Sequence, residues 1–492
     1  MLKPKVIVIG AGVAGLAAAI YALENGCEVE VHEAHSLPGG VCTAWQREGF
    51  QIDGCIHWLM DYPELRRMEA EVGLVDVPYL PIDTYMQFLD SQGDLLSVDH
   101  DGPALEAQLK SRYPEDAAFL TGFFRAVRRI GALGMPMSKP LPLQSWWDRC
   151  SFLLFNFLTV IPLMRLLTPM GEFVGQRVRN PELRRFLISI FNADMPASFG
   201  AMILGQLFAG RLKALDLTRV HSLDFARMME KRLRELGGEI RYKSRIARIE
   251  VDAGRVGGVV TQGGEQHPAD FVIAAGDLHT TLHELLPSDC DRQPLLGLFA
   301  RWQLFKPILL VSFGLENWRW PGAGNALGML LKEPVSIGPD RHQQLGVRVV
   351  RQRDPHRLVV QGFLETDYDY WNDLWQRDPT AYEEGKRQVA ASLLEALEPL
   401  LPGMAEHVRT TDVATPRTFV RYTGVYRGAF EGWNMNREGI LNPPPQTLPA
   451  FDGLFFAGQW VSPGGGIQSS IKSGRDAVML LCHQRRVRFN AN

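Results

Sequence analysis

The chain has 492 residues, a formal net charge of −3 at pH 7, 46% hydrophobic residues and 22% charged residues. This length exceeds what one hydrophobic core usually supports and predicts two or three domains, and the composition is typical of a folded α/β protein. The small net charge argues against nucleic acid as a partner and against strong adsorption to an anionic membrane.

The N-terminal residues predict a strand, a glycine-rich turn, a helix and a second strand. Residues 5–9 (KVIVI) are typical of a buried strand, residues 16–25 of an Ala/Leu-rich helix, and residues 28–32 of a second strand, after which Glu33 follows. The turn between the first strand and the helix has the sequence GAGVAG, residues 10–15. A GxGxxG turn in this context, with an acidic residue about twenty positions on, predicts a dinucleotide site.

Each glycine of the turn has a predicted role. Gly10 allows the tight turn, Gly12 lets a pyrophosphate approach the backbone, and Gly15 lets the helix pack closely on the strand. Ala14 belongs to the same turn, at the helix N-terminus, whose free N–H groups favour phosphate. We expect Glu33 to accept hydrogen bonds from ribose hydroxyls.

After Glu33 and Ala34 the chain continues to the pair Gly39-Gly40, then Val41 and, further on, the segment DGCIHW, residues 53–58. The following region, residues 62–217, is expected to be mostly helical. Its most apolar segment, residues 152–167, is short, is interrupted by a proline and an arginine, and follows a Trp-Trp pair. Two interpretations stay open: a buried helix of a substrate domain, or an interfacial segment at a membrane surface.

The middle of the chain predicts a further strand series in residues 236–276, which ends with Ala275-Gly276. Residues 288–414 show strand-like runs followed by a helix over residues 381–397. Near the C-terminus, residues 451–459 predict a strand ending in Gly458-Gln459. The segment SPGGGIQ, residues 462–468, then opens a last helix.

An acidic residue followed by a glycine pair, together with this closing motif, resembles the phytoene desaturase-like branch of flavoprotein oxidoreductases. That branch includes carotenoid desaturases and isomerases, retinol saturase and some polyketide-tailoring reductases. The resemblance implies an α/β fold with a Rossmann-like FAD-binding domain of the glutathione-reductase type. It implies that residues 1–61, 218–287 and 415–492 form this domain, with an inserted α+β substrate domain in residues 62–217 and 288–414.

The resemblance also implies which residues bind FAD. Ile246 matches the position whose backbone meets the adenine, and the last helix is expected to point its N-terminus at the flavin pyrimidine ring, which favours the anionic reduced flavin. Val41 and Gln459 depart from the family pattern, because relatives often carry a basic and an acidic residue there. The implied FAD contacts are Gly10, Gly12, Ala14, Gly15, Glu33, Ala34, Gly39, Gly40, Val41, Ile246, Ala275, Gly276, Gly458, Gln459, Gly466, Ile467 and Gln468.

Three residues are candidates for catalysis. His57 follows the DGCI segment, which should deliver it close to the isoalloxazine, and histidine can act as an acid or a base near neutral pH. The alternative, in which His57 only shapes the flavin pocket through backbone hydrogen bonds, is equally open. Arg421 and Tyr422 are weaker candidates, for orienting a polar end of the substrate or donating a proton. Aromatic residues such as Tyr368, Tyr370 and Trp371 could line the entrance to an apolar tunnel or could belong to a core.

The first functional hypothesis is desaturation or isomerisation of a long apolar polyene or isoprenoid-like lipid. The second is reduction or reductive cyclisation of a conjugated lipid or polyketide by NAD(P)H, which would reach the flavin through the substrate opening because no second GxGxxG follows a strand. A third, of another class, is a non-catalytic FAD-containing lipid-binding protein at a membrane surface.

Six cysteines are scattered without CxxC spacing, which predicts a reduced cytoplasmic protein, with peripheral contact to a membrane left open. Cys42 and Cys55 lie near the expected flavin. A redox dithiol is conceivable there, but packing is the favoured interpretation. No metal-ligand pattern is present in the sequence, and the sequence leaves the oligomeric state undecided.

Overall fold

The computed structural model describes residues 3–90, 92–132 and 139–491. The strands are β1 Lys5–Ile9, β2 Glu28–His32, β3 Ala44–Arg47, β4 Phe50–Asp53, β5 Leu59–Met60, β6 Tyr79–Pro81, β7 Thr84–Leu89, β8 Leu95–Asp99, β9 Leu212–Leu215, β10 Glu239–Arg241, β11 Ile246–Asp252, β12 Arg255–Thr261, β13 Gln266–Pro268, β14 Phe271–Ala274, β15 Ile308–Glu316, β16 Ala326–Ile337, β17 Asp340–Arg351, β18 Arg357–Glu365, β19 Val408–Ala414 and β20 Leu454–Phe456.

The helices are α1 Val13–Glu24, α2 Pro63–Glu71, α3 Gly102–Arg112, α4 Ala117–Gly131, α5 Trp146–Arg165, α6 Met170–Arg177, α7 Pro181–Phe191, α8 Ala197–Phe208, α9 Ser222–Glu235, α10 Leu278–Thr280, α11 Gln293–Arg301, α12 Tyr368–Arg377, α13 Pro379–Leu397, α14 Met404–His407, α15 Pro416–Thr423, α16 Arg437–Leu441 and α17 Ile467–Gln484.

A five-stranded parallel sheet forms the first half of the fold, in the order β10-β2-β1-β14-β20. Its central strand is apolar on both faces, as parallel sheets covered by helices require, and Val6, Ile7 and Val8 are fully buried. The helices α1 and α17 pack closely against each other, since a Cβ at Gly474 would lie 2.4 Å from the carbonyl oxygen of Ala14. The N-terminus of α1 is thereby held at the carboxyl end of β1.

A seven-stranded sheet forms the second half, in the order β19-β15-β18-β17-β16-β7-β8. Its apolar side chains form one core cluster with α12 and α13, in which Trp371 and Leu393 are fully buried. The sheet also contacts the hairpin β3–β4, because Phe50 packs with Val350 and Val359. The hairpin therefore packs on the seven-stranded sheet.

The structure differs from the sequence expectations in one respect. Residues 62–217 are mostly helical as expected, but their strands β7 and β8 join the seven-stranded sheet at its edge. The apolar segment that Pro162 and Arg165 interrupt in the sequence lies mostly in one helix, α5, which continues through position 162 and ends at Arg165. A proline removes a single helical hydrogen bond, and the turns on both sides carry the 20-residue helix across it.

Candidate active site

The turn after β1 can be built only with glycine at two positions. Gly10 has a φ of +99°, which side chains other than glycine rarely tolerate. A Cβ at Gly15 would lie 1.9 Å from the carbonyl oxygen of Gly10, so a side chain there would force the turn open. No side chain caps the N-terminus of α1 at Gly12. The first N–H groups of α1 are therefore free to bind a phosphate.

Glu33 lies at the same end of the sheet, directly after β2. Its carboxylate accepts hydrogen bonds of 2.7 Å from the backbone N–H groups of Ala11 and His35. The carbonyl oxygen of Glu33 also accepts a 2.8 Å hydrogen bond from the N–H of Ser244, which precedes β11. This bond draws the start of β11, and with it Ile246, toward Glu33. Each carboxylate oxygen keeps a second lone pair for a hydroxyl.

The other small residues predicted to contact the cofactor gather around this turn. Gly39 donates a 2.8 Å hydrogen bond to the carbonyl of Ala11 and has a φ of +108°, and Gly40 has a φ of +59°. A Cβ on Gly10 would lie 3.4 Å from backbone atoms of Ala275 and Gly276. A Cβ on Gly458 would lie 3.8 Å from the Cβ of Ala14. These contacts bring together segments from three distant parts of the chain at the carboxyl ends of β1, β14 and β20.

The helix α17 begins at a second uncapped N-terminus, at Gly466, whose φ is +87°. The N–H of Gly466 donates a 3.0 Å hydrogen bond to the carboxylate of Glu431. Burial raises the pKa of Glu431 to about 7, although this hydrogen bond acts in the opposite direction. Glu431 is thus a titratable group at the helix N-terminus that is predicted to face the flavin pyrimidine ring. No motif in the sequence pointed to this residue.

Two residues of the predicted FAD set have side chains that bond elsewhere. The amide of Gln468 bonds to the backbone of Met60 and to the carboxylate of Glu69, so only its backbone is left for a ligand. The amide of Gln459 donates a 3.5 Å hydrogen bond to the carbonyl of Ala429. Val41 and Ile467 offer apolar side chains, and Ala34 is exposed.

His57 lines a cavity of about 180 Å³ whose other walls come mainly from the seven-stranded sheet. The rest of its lining is mostly apolar and comes from β7, β16, β17 and β18, including Met86, Leu327 and Phe363. The ring of His57 lies 4.9 Å from that of Phe363. The side chain of His57 is exposed at this cavity, and desolvation by the surrounding protein and the nearby Arg348 lower its pKa below the usual value. The neutral imidazole is therefore favoured beside a mostly apolar cavity.

A buried polar network that the sequence did not reveal holds the hairpin end beside this cavity. Arg348 of β17 donates a 2.7 Å hydrogen bond to the carbonyl oxygen of Asp53 and another to Gln361. The carboxylate of Asp53 accepts hydrogen bonds from the backbone N–H and the hydroxyl of Ser222, at the start of α9. These bonds connect β17, the hairpin and α9, so they fix the position of His57. The only local sign in the sequence was an arginine within the run LGVRVV of β17, and this sign does not identify its partners.

The structure does not bring the other two catalytic candidates to His57. The ring of Tyr422 lies 5.6 Å from that of His35, and the guanidinium of Arg421 lies 5.4 Å from the ring of Tyr422. Both candidates are exposed, and among the described residues no recorded contact joins either of them to His57. Their roles in catalysis stay predictions.

Of the aromatic residues considered for a tunnel entrance, Trp371 belongs to the core of the second sheet. Tyr370 is exposed. Tyr368 lines a separate cavity of about 500 Å³, together with charged groups of both signs such as Lys306, Glu365 and Arg427. This second cavity is polar, so an apolar substrate fits the cavity beside His57 better.

Glu30, His32 and His267 place possible metal-ligating atoms within 4.8 Å of one another. The carboxylate of Glu30, however, already contacts two permanent cations, Lys5 at 3.0 Å and Arg241 at 2.6 Å. Burial raises the pKa of Glu30, but the hydrogen bond from Lys5 and the charges around it bring the pKa below its usual value. The cluster is therefore a balanced ion-pair network at the sheet edge.

The residues present fit an extended dinucleotide. One end of the molecule would meet Glu33 and Ile246, its pyrophosphate would meet the uncapped turn at Gly12, and its far end would meet the N-terminus of α17. A parallel sheet with an uncapped glycine turn at its carboxyl edge, combined with a mostly apolar cavity beside His57, is typical of a dinucleotide-dependent oxidoreductase of the α/β class.

Comparison with known proteins identifies the family. Residues 13–482 match the family described as flavin containing amine oxidoreductase, and the chain belongs to it. The chain is 22% identical over 495 residues to the chloroplastic prolycopene isomerase of Arabidopsis thaliana, covering 95% of this chain and 81% of that protein. It is 23% identical to a neurosporene-forming phytoene desaturase of Cereibacter sphaeroides, covering 99% of this chain and 96% of the relative.

Among solved structures, an oxidoreductase from Methanosarcina mazei superposes with a TM-score of 0.61 and 18% sequence identity. The match covers 97% of this chain and all of that one. At this identity the match shows the fold alone. Together these findings confirm the α/β flavoprotein fold and the resemblance to phytoene desaturase-like enzymes, and they make this chain an FAD-dependent oxidoreductase.

Proposed function

We propose that this flavin-containing oxidoreductase acts on C–C bonds of a long apolar polyene or isoprenoid-like lipid, by desaturation or isomerisation. The observation that carries the proposal is the mostly apolar cavity beside His57. The inner strands of the seven-stranded sheet form most of the wall of this cavity. Relatives named as a prolycopene isomerase and a phytoene desaturase support the same substrate class.

In this proposal the chain's own residues bind the cofactor and the substrate, orient them and exclude water from the reacting carbons. The turn at Gly10–Gly15 and the carboxylate of Glu33 hold FAD, which supplies a hydride acceptor at its N5 position. Met86, Leu327 and Phe363 bind the apolar chain of the substrate and keep water away from the reacting carbons. His57, neutral at physiological pH, accepts the proton that leaves the substrate when a hydride is removed.

Anaerobic titration of the FAD-loaded protein tests this function. An acyclic carotenoid or another isoprenoid polyene, presented in detergent, should bleach the flavin spectrum as the substrate is desaturated. Rapid bleaching by NADPH followed by reoxidation with a conjugated polyene would instead support reduction or reductive cyclisation. A flavin that responds to neither would contradict an enzymatic role on such lipids and favour the lipid-binding alternative.

We further propose that the protein is cytoplasmic and meets its substrate at a membrane surface through α5. Two tryptophans at the start of this helix, Trp146 and Trp147, expose 66% and 73% of their surface, and Leu154 exposes 71%. Exposed tryptophans beside apolar residues and Arg165 match an interfacial segment. The side chains of residues 152, 153, 155–159 and 162 lie outside the described part. Among the described helices, none is long and apolar enough to span a bilayer.

A further inference from the structure

Two cysteines, 13 residues apart in the sequence, lie just beyond the open end of the hairpin β3–β4, outside its strands. The register pairs Ala44 with Asp53, and the N–H of Gly54 donates a 3.0 Å hydrogen bond to the carbonyl of Thr43. The next residue on each side of this pairing is Cys42 and Cys55, and their side chains are close enough to interact. Neighbouring positions of this kind approach the Cβ separation from which a disulfide can form with a small adjustment.

The two thiols differ in environment. Cys42 is buried, its sulfur lies 3.2 Å from the carbonyl oxygen of Ser222, and Cys55 is only half-buried. A hydrogen bond to Cys55, and then burial, raise the pKa of the Cys42 thiol well above its usual value. Cys42, whose S–H donates to the carbonyl oxygen of Ser222, is thus the shielded, protonated thiol of the pair, and Cys55 is the more accessible sulfur. A pair of this kind has one thiol for exchange with other molecules and one that resolves the resulting bond.

The cysteine pair lies beside the predicted flavin site. The N–H of Cys42 donates a 3.0 Å hydrogen bond to the carbonyl of Gly39, and a Cβ on Gly39 would lie 2.3 Å from the carbonyl oxygen of Cys42. Cys42 is therefore packed on the glycine pair predicted to contact the cofactor, and Cys55 stands two residues before His57. The guanidinium of Arg348 lies close enough to Cys55 for the two to interact electrostatically, so a thiolate at Cys55 has a permanent cation nearby.

We propose that Cys42 and Cys55 form a redox-active pair that exchanges an electron pair with the bound flavin. The inference rests on the proposed function in one respect, namely that FAD is bound. On oxidation both S–H bonds break and one S–S bond forms. An electron pair and one proton pass to the flavin as a hydride equivalent, and the second proton goes to solvent. In the reverse direction, reduced flavin returns the electron pair and a proton. A small external dithiol or disulfide then exchanges with the pair through attack at Cys55.

Anaerobic dithionite titration of the air-oxidised, FAD-loaded protein tests the electron count. The wild-type protein should take up about four electrons per FAD, since flavin and disulfide each accept an electron pair. Cys42→Ser and Cys55→Ser should each take up about two electrons per FAD. The control Cys290→Ser changes another half-buried cysteine, and should keep the wild-type count. An equal count in the wild type and both pair variants would overturn the proposal.

A mass measurement tests the pair without depending on flavin activity or on the variants' folding. Trypsin cuts after Arg47, between the two cysteines, so a disulfide would keep the peptides of residues 6–47 and 48–66 joined. The oxidised wild-type protein should yield this joined peptide with Cys27, the other cysteine of residues 6–47, alkylated, and incubation with dithiothreitol should separate it. Full alkylation of Cys42 and Cys55 after oxidation would overturn the proposal even in a protein that binds FAD and oxidises a polyene. A joined peptide in a protein that binds no FAD would instead contradict the proposed function.

Discussion

At the scale of single residues, the proposed chemistry centres on His57. Desolvation by the surrounding protein and the charge of Arg348 both disfavour the charged ring and lower its pKa, although the side chain is exposed at the cavity. At a given pH a larger fraction of His57 is therefore neutral than of an ordinary histidine. A neutral ring can take a proton but brings no permanent charge that would repel a developing carbocation.

Replacing this residue separates catalysis from cofactor binding. His57→Gln should leave FAD bound and lower turnover by roughly 100-fold, because glutamine cannot accept a proton. Stopped-flow measurement of flavin reduction by the polyene checks this. The exposed His100, whose ring contacts only the carbonyl of Asp83 among the recorded hydrogen bonds, provides the matched control His100→Gln. Unchanged flavin reduction in His57→Gln would leave His57 with a role in shaping the pocket alone.

The ionisation of Glu431 should make the stability of the folded protein depend on pH. Its folded-state pKa of about 7 exceeds the ordinary value of a glutamate, so the folded chain binds an additional proton between these two values. The resulting stabilisation is complete below the ordinary pKa and is lost as pH rises through about 7. The Tm of the apoprotein should therefore fall between pH 5 and 8 more steeply in the wild type than in Glu431→Gln.

The control for this experiment is Glu438→Gln, which changes an acid in α16 that contacts Arg301 and Trp302. It should keep the wild-type slope of Tm against pH. If Glu431→Gln also keeps that slope, the carboxyl of Glu431 titrates at its ordinary pKa, and its environment is more solvated than the structure indicates.

At the scale of elements, the turn between β1 and α1 carries cofactor binding. Gly15→Ala places a methyl group against the carbonyl oxygen of Gly10, and relieving this clash must move the turn at a cost of about 1–3 kcal/mol. FAD affinity should fall by roughly tenfold or more, as measured by fluorescence titration of the apoprotein.

A matched glycine lies in α4, where a Cβ at Gly122 would meet no atom within 4 Å. Gly122→Ala should bind FAD as tightly as the wild type. Equal FAD affinity in Gly15→Ala would mean that the phosphates of the cofactor do not lie at this turn.

The helix α5 gives a second prediction at this scale. The wild-type protein should float with neutral phosphatidylcholine vesicles, and Trp146→Ser combined with Trp147→Ser should lower the bound fraction several-fold, because each buried tryptophan contributes to interfacial binding. Exposed Trp375 of α12, at 39% exposure, offers the control Trp375→Ser. No flotation of the wild-type protein, at low or high salt, would contradict the membrane proposal.

How much of the fold could be predicted depends on how far apart in the sequence the contacting residues lie. The unit β1–α1–β2 was predicted to within a few residues, because its glycines, its apolar strand and its helix all lie within 30 positions. The contact of Arg348 with Asp53 joins residues 295 positions apart, and no local sequence pattern predicts this contact. The same holds for β7 and β8, which lie in a region expected to be helical: β7 pairs with the distant β16, and β8 pairs with β7.

The candidate site shows a similar division. The backbone-made contacts around Gly10, Gly39 and Gly458 follow from motifs, since glycine is required there by conformation. The side-chain partners do not follow: Gln468 bonds to Met60, and Tyr422 lies against His35. The Cys42–Cys55 pairing had a local signal, the Glu48-Gly49 turn between two short strands, but the spacing alone suggested only packing.

At the scale of the whole molecule, two helix N-termini from opposite ends of the chain lie at the same edge of one sheet. The first follows β1, and the second follows β20 and contacts α1 along its length through positions such as Gly474. The seven-stranded sheet supplies most of the lining of the cavity beside His57. In our proposal, one extended cofactor lies along the edge that holds the two helix N-termini, and one apolar substrate occupies the cavity.

The flavin content of the purified or reconstituted protein tests this claim most directly. We expect a yellow protein with about one FAD per chain, released intact on denaturation, as one continuous dinucleotide site requires. A colourless protein that cannot be reconstituted with FAD, or one that binds only a mononucleotide flavin, would contradict the account.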